Sequence, residues 1–515
     1  MLGRDWNGFR EETTMGSKYQ ELVAHLTEVT NLNRAAAVLS WDQQVNMPAG
    51  GAEARAAQLA TLARMAHELF TSDTTGSLLE AAAREVDGAD YDSDEASLVR
   101  VAREDYEEQT RVPAALVAEM ARETTLAHNV WVQARQDNSF AAFLPALERI
   151  FELAQRMAEH LGYEDHPYDA LLNQYERGMT TARVREIFDG HKPALVELIA
   201  AVSANADRVD DSVLRQPFDI EQQRAFALDV IRAYGFDFAR GRQDVSVHPF
   251  CTHFSRGDVR ITTRFQPDFL NPALFGMMHE AGHAMYEQGI GSQLDNTPLG
   301  SGTSLGVHES QSRLWENLVG RSRAFWTWAL PRLQQVFPNQ LGGVDLETFY
   351  RAINKVQRSF IRVEADEATY NLHIMLRFDL ETAVFEGKLR PADLAREWSD
   401  RFEAMFGMRP PSDTAGALQD VHWSAGIMGY FPTYALGNLL SVQYYNKAVQ
   451  EHPSIPDEIA AGQFDTLRNW LTERIYQHGR KFTSDELTRR VTGESIQARD
   501  YIAYLQAKLG EIYGL

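Results

Sequence analysis

The stretch that most constrains this chain is the pattern His279-Glu280-Ala281-Gly282-His283, which lies within the apolar segment FGMMHEAGHAMYEQGIG. In a helix, residues i and i+4 lie on the same face, so the two histidines can bind one zinc ion from the same side. Glu280 can then reach a water molecule at the metal and accept its proton. The apolar flanks predict a buried helix, and buried imidazole and carboxylate groups need partners. The sequence therefore predicts an interior metal site.

A catalytic zinc site needs a third protein ligand and keeps one position open. Glu309 is the best candidate, because it lies 26 residues after His283, near the start of a helix predicted over 305–322. A helix–loop–helix return would bring it back over the motif helix. His308 and Glu316 remain alternatives. His308 points about 100° away from Glu309 on a helix, so only one of these two neighbours can face the metal.

Two other classes of zinc peptidase lack support in the sequence. A metzincin continues the motif with a glycine and then a third histidine, but Tyr286 and Gly289 stand at those positions. Zinc aminopeptidases usually carry a Gly-x-Met-x-Asn stretch before the motif, and this chain shows none. The class that remains uses two histidines and a glutamate as ligands.

Composition argues against several partners and compartments. The 515-residue chain carries a net charge of −22, which argues against binding to nucleic acid or to anionic membranes. Cys251 is the only cysteine, so an intrachain disulfide is impossible and a reducing compartment is expected. No apolar run approaches the roughly 20 residues of a membrane span, and the first residues lack the apolar core of a signal peptide. We therefore expect a cytoplasmic protein.

Helical periodicity dominates the chain and begins just after Met15. We expect residues 1–14 to be a disordered extension, or an artefact of the assigned start, and residues 15–515 to form one domain. Apolar spacing and capping signals predict a mostly α protein. Predicted helices cover 17–39, 52–70, 94–111, 113–137, 139–162, 180–206, 220–235, 305–322, 324–337, 345–387, 391–407 and 432–451, with more within 456–513.

One segment departs from the helical pattern. Residues 243–266 alternate β-branched and aromatic side chains, which predicts a two-stranded hairpin with its turn near Ser255-Arg256-Gly257-Asp258. The segment directly precedes the motif helix. A sheet edge at that place can hold an extended peptide by strand addition. A hairpin with a purely structural role explains the pattern equally well.

Six short motifs occur in order along the chain from about Lys18 onward. Each is weak alone, but together they make the chain resemble the thermostable (Taq-type) carboxypeptidase family of zinc metallocarboxypeptidases. The motifs are His248-Pro249-Phe250, Asp258-Val259-Arg260-Ile261-Thr262, His279-Glu280-Ala281-Gly282-His283, His308-Glu309-Ser310-Gln311, Ile361-Arg362-Val363-Glu364-Ala365-Asp366 and Gly416-Ala417-Leu418-Gln419-Asp420-Val421-His422-Trp423.

This resemblance implies a large helical saddle or bowl with a deep active-site groove and a small β-sheet element beside the motif helix, assembled as a homodimer. It implies an enzyme that removes single C-terminal residues from peptides with broad specificity, proline being disfavoured. By the same resemblance His279, His283 and Glu309 bind zinc, for which cobalt can substitute. Glu280 is then the general base, which later passes the proton to the departing amine.

A carboxypeptidase must also recognise a free α-carboxylate, and the planar fork of arginine matches that group. The resemblance favours Arg362, whose alternative role is an ion pair with Asp366 at i+4 on the same predicted helix. Arg260 is the second candidate for binding the carboxylate. Asp366 and Glu364 are alternatively expected to orient the metal-binding histidines.

The tetrahedral intermediate needs a hydrogen-bond donor besides the metal. The segment after the sixth motif offers His422 and Tyr430, which we predict to be catalytic, with Tyr434 as a further candidate. Aromatic residues in helical proteins usually belong to the core, which is the alternative for both tyrosines. In the predicted hairpin, His248 and Asp258 are expected to shape the groove or to hold the substrate backbone.

Two other functions remain open from the residues alone. One is a zinc oligopeptidase or endopeptidase on a related helical scaffold, which would produce internal fragments. The other is a non-catalytic binding protein with a structural metal, which the open fourth ligand position and the intact Glu280 disfavour.

Overall fold

The computed structural model describes residues 17–515, which form 21 α-helices and one small sheet. None of these helices is long and apolar enough to cross a membrane. The predicted extension, residues 1–14, lies outside the described residues. The helices are α1 (Ser17–Val45), α2 (Ala52–Phe70), α3 (Asp73–Glu85), α4 (Asp94–Arg111), α5 (Ala114–Gln136), α6 (Phe140–Leu161), α7 (Pro167–Asn173), α8 (Thr181–Ala204), α9 (Ile220–Tyr234), α10 (Asn271–Gly289), α11 (Leu305–Arg313), α12 (Arg323–Val336), α13 (Pro338–Leu341), α14 (Leu346–Ile353), α15 (Tyr370–Phe385), α16 (Leu394–Phe406), α17 (Pro432–Glu451), α18 (Ile455–Ala460), α19 (Asp465–Arg474), α20 (Ser484–Thr492) and α21 (Arg499–Tyr513).

The mostly α architecture with one small sheet before the motif helix is confirmed. Most predicted helix boundaries lie within two residues of the observed ones, because capping residues mark them. Ser304, for example, begins α11 by accepting a hydrogen bond from the backbone N–H of Val307 at 3.1 Å. The helix predicted over 305–322 is α-helical only as far as Arg313, and a π-helical turn, Leu314–Val319, follows it. Such turns often lie at functional sites.

The continuous helix predicted over 345–387 is wrong. Helix α14 ends at Ile353 and α15 begins at Tyr370, and the residues between them are irregular apart from a 3₁₀ turn, Arg362–Glu364. Asp366 explains the break, because its carboxylate accepts hydrogen bonds from the backbone N–H groups of Gln357, Ala368 and Thr369 at 2.8–3.0 Å. A short acidic side chain bonded in this way competes with helix formation.

The predicted two-stranded hairpin is a three-stranded sheet. Its strands are β1 (Gly241–Val245), β2 (Phe250–Ser255) and β3 (Asp258–Thr263), in the spatial order β1-β3-β2. The predicted turn is confirmed between β2 and β3, which pair antiparallel. The first strand was predicted to belong to that hairpin, but β1 instead pairs parallel to β3. The alternation of side chains along a strand does not specify which strands are neighbours, so it could not predict that β1 pairs with β3.

Two glycines let the helices around the metal motif approach closely. A Cβ on Gly282 of α10 would lie 2.5 Å from the carbonyl oxygen of Gln311 on α11. A Cβ on Gly437 of α17 would lie 2.5 Å from Cγ of Glu309. Neither distance is sterically possible. Helices α10 and α17 can therefore pack this closely on α11 only because these two residues lack side chains.

The buried apolar side chains form two groups. The larger one runs from Val112 to Tyr513 and includes the inward faces of α10, α11 and α17. The smaller one is built from α1 to α4 and joins the loop after α10 through Ile290, Leu294 and Leu299. The metal motif therefore lies in the larger core, with the N-terminal helices packed on a separate apolar surface beside the sheet.

Candidate metal centre and active site

The predicted metal ligands meet between α10 and α11. His279 and His283 project from one face of α10, and Glu309 lies in the second turn of α11. Glu309 Oε2 lies 3.5 Å from His279 Nε2 and 3.4 Å from His283 Nε2. Within residues 17–515, this is the one group of His, Cys, Asp and Glu side chains whose ligand atoms converge enough to hold a metal ion.

The distances between these atoms fit a tetrahedral metal ion. Ligands about 2.05 Å from a tetrahedral zinc ion lie about 3.3 Å from one another. The observed separations of 3.4 and 3.5 Å leave room for such an ion with little movement of the side chains. Two imidazole nitrogens and one carboxylate oxygen are also the donor set of many hydrolytic metal sites. The three residues therefore fit a catalytic metal with one open position.

A partner holds the other ring nitrogen of each histidine. His279 Nδ1 lies 2.9 Å from Glu316 Oε2, and His283 Nδ1 lies 2.6 Å from His308 Nδ1. Since Nε2 of His283 faces the metal position, its proton is on Nδ1 and is donated to His308. His308 then carries its own proton on Nε2 and donates it to Glu287 Oε1 at 2.7 Å. Both rings are thus fixed in orientation and tautomer, as metal-binding histidines usually are.

The rivals for the third ligand, His308 and Glu316, therefore support the two histidines. His308 contacts Nδ1 of His283 and Glu309 lies at Nε2 of the same ring, so of these two neighbours only Glu309 is directed at the metal position. Burial lowers the pKa of His283 to about 4, which keeps its imidazole neutral. The pKa of His279 is raised, because the carboxylates of Glu309 and Glu316 outweigh the opposing effect of burial.

Arg313 holds the carboxylate of Glu309 in place. Its Nε donates to Glu309 Oε1 at 2.7 Å, and its Nη1 donates to Glu316 Oε2 at 3.1 Å. Burial opposes ionisation of Glu309, but the guanidinium of Arg313 and the ring of His279 outweigh it and hold the pKa well below its usual range. The same guanidinium lowers the pKa of Glu316 to about 2 against the effect of burial. Both carboxylates are therefore charged.

Glu280 lies on α10 beside the ligands and is 6% exposed. Burial raises the pKa of its carboxyl group to about 7, although His279 opposes that shift. A carboxyl group with a pKa near neutrality can both accept and return a proton. Within residues 17–515 no hydrogen bond holds its side chain, which leaves its oxygens available to a water molecule or a substrate.

Arg362 is buried and is bound by Asp420. Its Nε and Nη2 donate to Asp420 Oδ1 at 3.1 and 2.8 Å, and its Nη1 donates to the hydroxyl of Tyr370 at 2.6 Å. The alternative ion pair with Asp366 is wrong, because the predicted helix that would have brought them together is absent. One N–H of Nη1 and one of Nη2 remain without a partner among the described residues.

A chain of contacts connects Arg362 to the metal ligands. Arg313 lies over the ring of Tyr370 at 4.8 Å, and the hydroxyl of that ring accepts from Arg362. Arg260 has no such connection. It forms two hydrogen bonds with Asp258, at 2.9 and 2.8 Å, and stacks on Trp41 at 4.2 Å. His248 is exposed in the link between β1 and β2.

His422, Tyr430 and Tyr434 form one aromatic cluster. The ring of Tyr430 lies 5.6 Å from that of His422 and 5.2 Å from that of Tyr434. His422 Nε2 lies 3.4 Å from the hydroxyl of Tyr434, and burial lowers the pKa of its ring to about 4. Burial raises the pKa of Tyr430, and the negative charge of Glu309 adds to the effect. All three groups are therefore neutral, and the two tyrosines lie close enough to Glu309 to be affected by its charge.

Several residues that support the site were not predicted from the sequence. Arg313 follows Glu309 by four residues and Glu287 follows His283 by four, so helical spacing could have found both. Asp420 and Gly437 could not be found in this way, since they approach from distant parts of the chain. The expectation that Asp366 or Glu364 orients the histidines is wrong: Asp366 caps backbone N–H groups, and the side chain of Glu364 is exposed.

Comparison with known proteins gives consistent matches over the full length of the described chain. Residues 21–509 match the family described as Carboxypeptidase Taq (M32) metallopeptidase. The chain is 42% identical over 514 residues to thermostable carboxypeptidase 1 of Thermus thermophilus, covering 97% of this chain and 100% of that protein. It is 36% identical to carboxypeptidase 1 of Bacillus subtilis, covering 95% and 97%. The crystal structure of an M32 carboxypeptidase from Deinococcus radiodurans superposes with a TM-score of 0.94 at 44% identity, covering 97% and 100%.

Proposed function

This chain belongs to the Carboxypeptidase Taq (M32) metallopeptidase family and is a metallocarboxypeptidase, and we propose that it uses zinc to remove single residues from the C-termini of peptides. The observation that carries the proposal is the convergence of Glu309 Oε2 with the Nε2 atoms of His279 and His283, at 3.5 and 3.4 Å. Cobalt, which accepts the same donor set, is the expected substitute.

Bound zinc would polarise the scissile carbonyl and make a water molecule more acidic. Glu280 accepts the proton of the attacking water, for which its buried and uncommitted carboxylate is suited. It then gives that proton to the amine of the departing residue. Glu316 and His308 keep the two histidine rings in position during these steps, and Arg313 does the same for Glu309.

Arg362 recognises the α-carboxylate of the substrate in this proposal. Asp420 takes the side of the guanidinium formed by Nε and Nη2, which fixes its plane. One N–H of Nη1 and one of Nη2 have no partner among the described residues, and a carboxylate can accept a hydrogen bond from each. The contacts through Tyr370 and Arg313, which connect Arg362 to the predicted metal ligands, support Arg362 over Arg260.

His422 and Tyr430 donate hydrogen bonds to the oxyanion as the carbonyl becomes tetrahedral. The neutral state of both groups at physiological pH, the influence of Glu309 on Tyr430 and the 5.6 Å between the rings of Tyr430 and His422 support this role. Tyr434 holds His422 through the 3.4 Å contact between its hydroxyl and Nε2. His248 and Asp258 contribute to substrate binding from the sheet, with Asp258 acting through its pair with Arg260.

The remaining features of the proposal follow the family resemblance. Specificity is broad for the residue removed. Proline is disfavoured there, because its ring replaces the N–H of the scissile peptide bond and restricts the backbone. The active form is a homodimer in the cytoplasm, in line with the single cysteine and the net charge of −22.

A metal-exchange experiment tests the proposal. The purified protein is analysed for metal content, stripped with a chelator, and assayed on a free-acid peptide before and after zinc or cobalt is restored. We expect one metal ion per chain, loss of C-terminal residue release on stripping, and recovery with either ion. Full activity in the stripped protein would refute the proposed role of the metal.

A further inference from the structure

Four arginines from distant parts of the chain line one pocket at the C-terminal end of the motif helix. The pocket has a volume of about 530 Å³. Arg232 comes from the last turn of α9, Arg240 from the residue before β1, Arg256 from the turn between β2 and β3, and Arg468 from α19. Asp237 is the one carboxylate among the lining residues. Such a concentration of positive charge is unexpected in a chain with a net charge of −22.

Arg240 is bound to the protein through two of its three guanidinium nitrogens. Its Nε donates to Asp237 Oδ2 at 2.7 Å and its Nη1 donates to the carbonyl oxygen of Gln288 in the last turn of α10 at 2.9 Å. Arg256 is used only in part, since its single hydrogen bond within residues 17–515 runs from Nε to the carbonyl oxygen of Ile290 at 3.0 Å. Hydrogen bonds to backbone carbonyls at the C-terminal end of α10 therefore account for Nη1 of Arg240 and Nε of Arg256. Both Nη groups of Arg256 have no such role.

The other two arginines are paired only with exposed neighbours on their own helices. Arg232 contacts Asp229 and Arg468 contacts Asp465, each at 2.6 Å, and those carboxylates are 76% and 75% exposed. Pairs of this kind are weak and exchange readily with solvent. Neither arginine contacts a backbone carbonyl of α10. Their donors are thus available to a ligand in the pocket.

Gly235 lets Arg468 approach the end of α9 closely. A Cβ on this glycine would lie 2.2 Å from Arg468 Nη1, and its φ of +112° is one that favours glycine. The guanidinium therefore lies directly against the backbone at the end of α9. Arg232, Arg256 and Arg468 reach the pocket from three different elements, so their donors converge from several directions. A tetrahedral oxoanion accepts hydrogen bonds in that arrangement better than a planar carboxylate does.

We propose that this pocket is a binding site for a small anion that carries phosphate groups, separate from the metal centre. The ligand takes the place of Asp229 and Asp465 as partner of Arg232 and Arg468, and it accepts hydrogen bonds from the unused Nη groups of Arg256. Binding stabilises the folded protein, and the stabilisation grows with the logarithm of ligand concentration above Kd, as for any ligand that binds only the native state.

Calorimetric titration of the zinc-loaded protein with inorganic phosphate tests the proposal, at constant ionic strength maintained with sodium chloride. We expect one saturable site per chain, and at least a tenfold weaker affinity in the double variant Arg256→Gln, Arg468→Gln. The matched control is Arg64→Gln, Arg499→Gln, which removes two exposed arginines that also pair with neighbouring acids. This control is expected to bind phosphate like the wild type.

Three results would overturn the proposal. One is the absence of saturable binding to the wild type. Another is equal binding by the wild type and the pocket variant, which would place the phosphate elsewhere, for example at the metal. The third is a change of oligomeric state in the pocket variant without phosphate, measured by sedimentation, which would identify the arginines as contacts between copies. Circular dichroism of each variant verifies that it is folded.

Discussion

Arg313 Nε lies 2.7 Å from Glu309 Oε1, so that the other oxygen of the same carboxylate faces His279 and His283. This relationship divides the two oxygens of Glu309, the predicted third metal ligand, between a protein cation and the candidate metal position. The carboxyl groups of Glu280, Glu309 and Glu316 are buried together at this site. Arg313 balances their negative charge and, in the proposed holoenzyme, the metal ion does so as well.

The first prediction concerns this buried charge. Arg313→Met leaves Glu309 and Glu316 without their shared cation, and removing one partner of a buried ion pair costs about 3–5 kcal/mol. We expect that loss in the metal-free protein and a smaller loss in the zinc-loaded protein, because zinc supplies positive charge to Glu309. Denaturant unfolding of both forms measures the difference.

The control for this prediction is Arg323→Met, which removes an arginine that pairs with Glu347 and Glu511 at the surface. It is expected to change the free energy of unfolding by less than about 1 kcal/mol in both forms. An equal loss of stability in the metal-free and zinc-loaded Arg313 variant would contradict the charge-balance explanation.

His308→Ala removes the group that accepts the Nδ1 proton of His283. The ring of His283 is then free to rotate, and we expect zinc affinity to fall by roughly 10- to 100-fold. Competition with a fluorescent chelator measures this affinity. His308→Gln, whose side chain can accept and donate, should recover part of it. Unchanged affinity in both variants would show that His283 needs no support from His308.

Gly437→Ala introduces a Cβ within 2.5 Å of Glu309 Cγ. Since the third ligand must move to make room, we expect lower zinc affinity together with a lower melting temperature. Gly510→Ala is the matched control, because Gly510 also lies within a helix but its Cβ would meet no atom within 4 Å. That control should keep its zinc affinity and gain up to about 1 kcal/mol. Equal behaviour of the two variants would contradict the close packing of α17 on α11.

The helical spacing of the motif is what made the metal site predictable. Residues at i and i+4 on one helix need no knowledge of the tertiary fold, and Glu309 followed from the return of the next helix. The supports of the site were less accessible. Asp420 reaches Arg362 across 58 residues, and Gly437 reaches Glu309 from a third helix. Contacts of this kind depend on how helices pack, which the spacing of apolar residues does not specify.

The errors in the predicted fold also come from contacts that the sequence pattern does not specify. Periodicity could not show that the carboxylate of Asp366 would compete with the helix between α14 and α15. Arg362 was consequently placed on a helix with the wrong partner. Alternation identified the strands of the sheet, but it could not show that β1 pairs parallel to β3, since the alternation of side chains carries no information on which strands are neighbours.

Arg362→Met tests recognition of the substrate carboxylate. Each hydrogen bond to a charged group contributes about 1.5–3 kcal/mol, so losing one or more should lower kcat/KM on a free-acid peptide by roughly 10- to 150-fold or more, mainly through KM. The melting temperature of the variant separates this effect from loss of structure. Arg260→Met is the comparison, and it is expected to have the smaller effect. A larger loss in Arg260→Met would transfer the role to that residue.

The most direct test of the proposed function is mass spectrometry of one peptide, supplied as the free acid and as the C-terminal amide. Zinc-loaded wild-type protein and Glu280→Gln, which keeps all three metal ligands, are compared over a time course. We predict stepwise loss of single C-terminal residues from the free acid alone. The variant should be roughly 10²- to 10⁴-fold slower while it retains its zinc. Internal fragments, or equally rapid cleavage of the amide, would contradict the account.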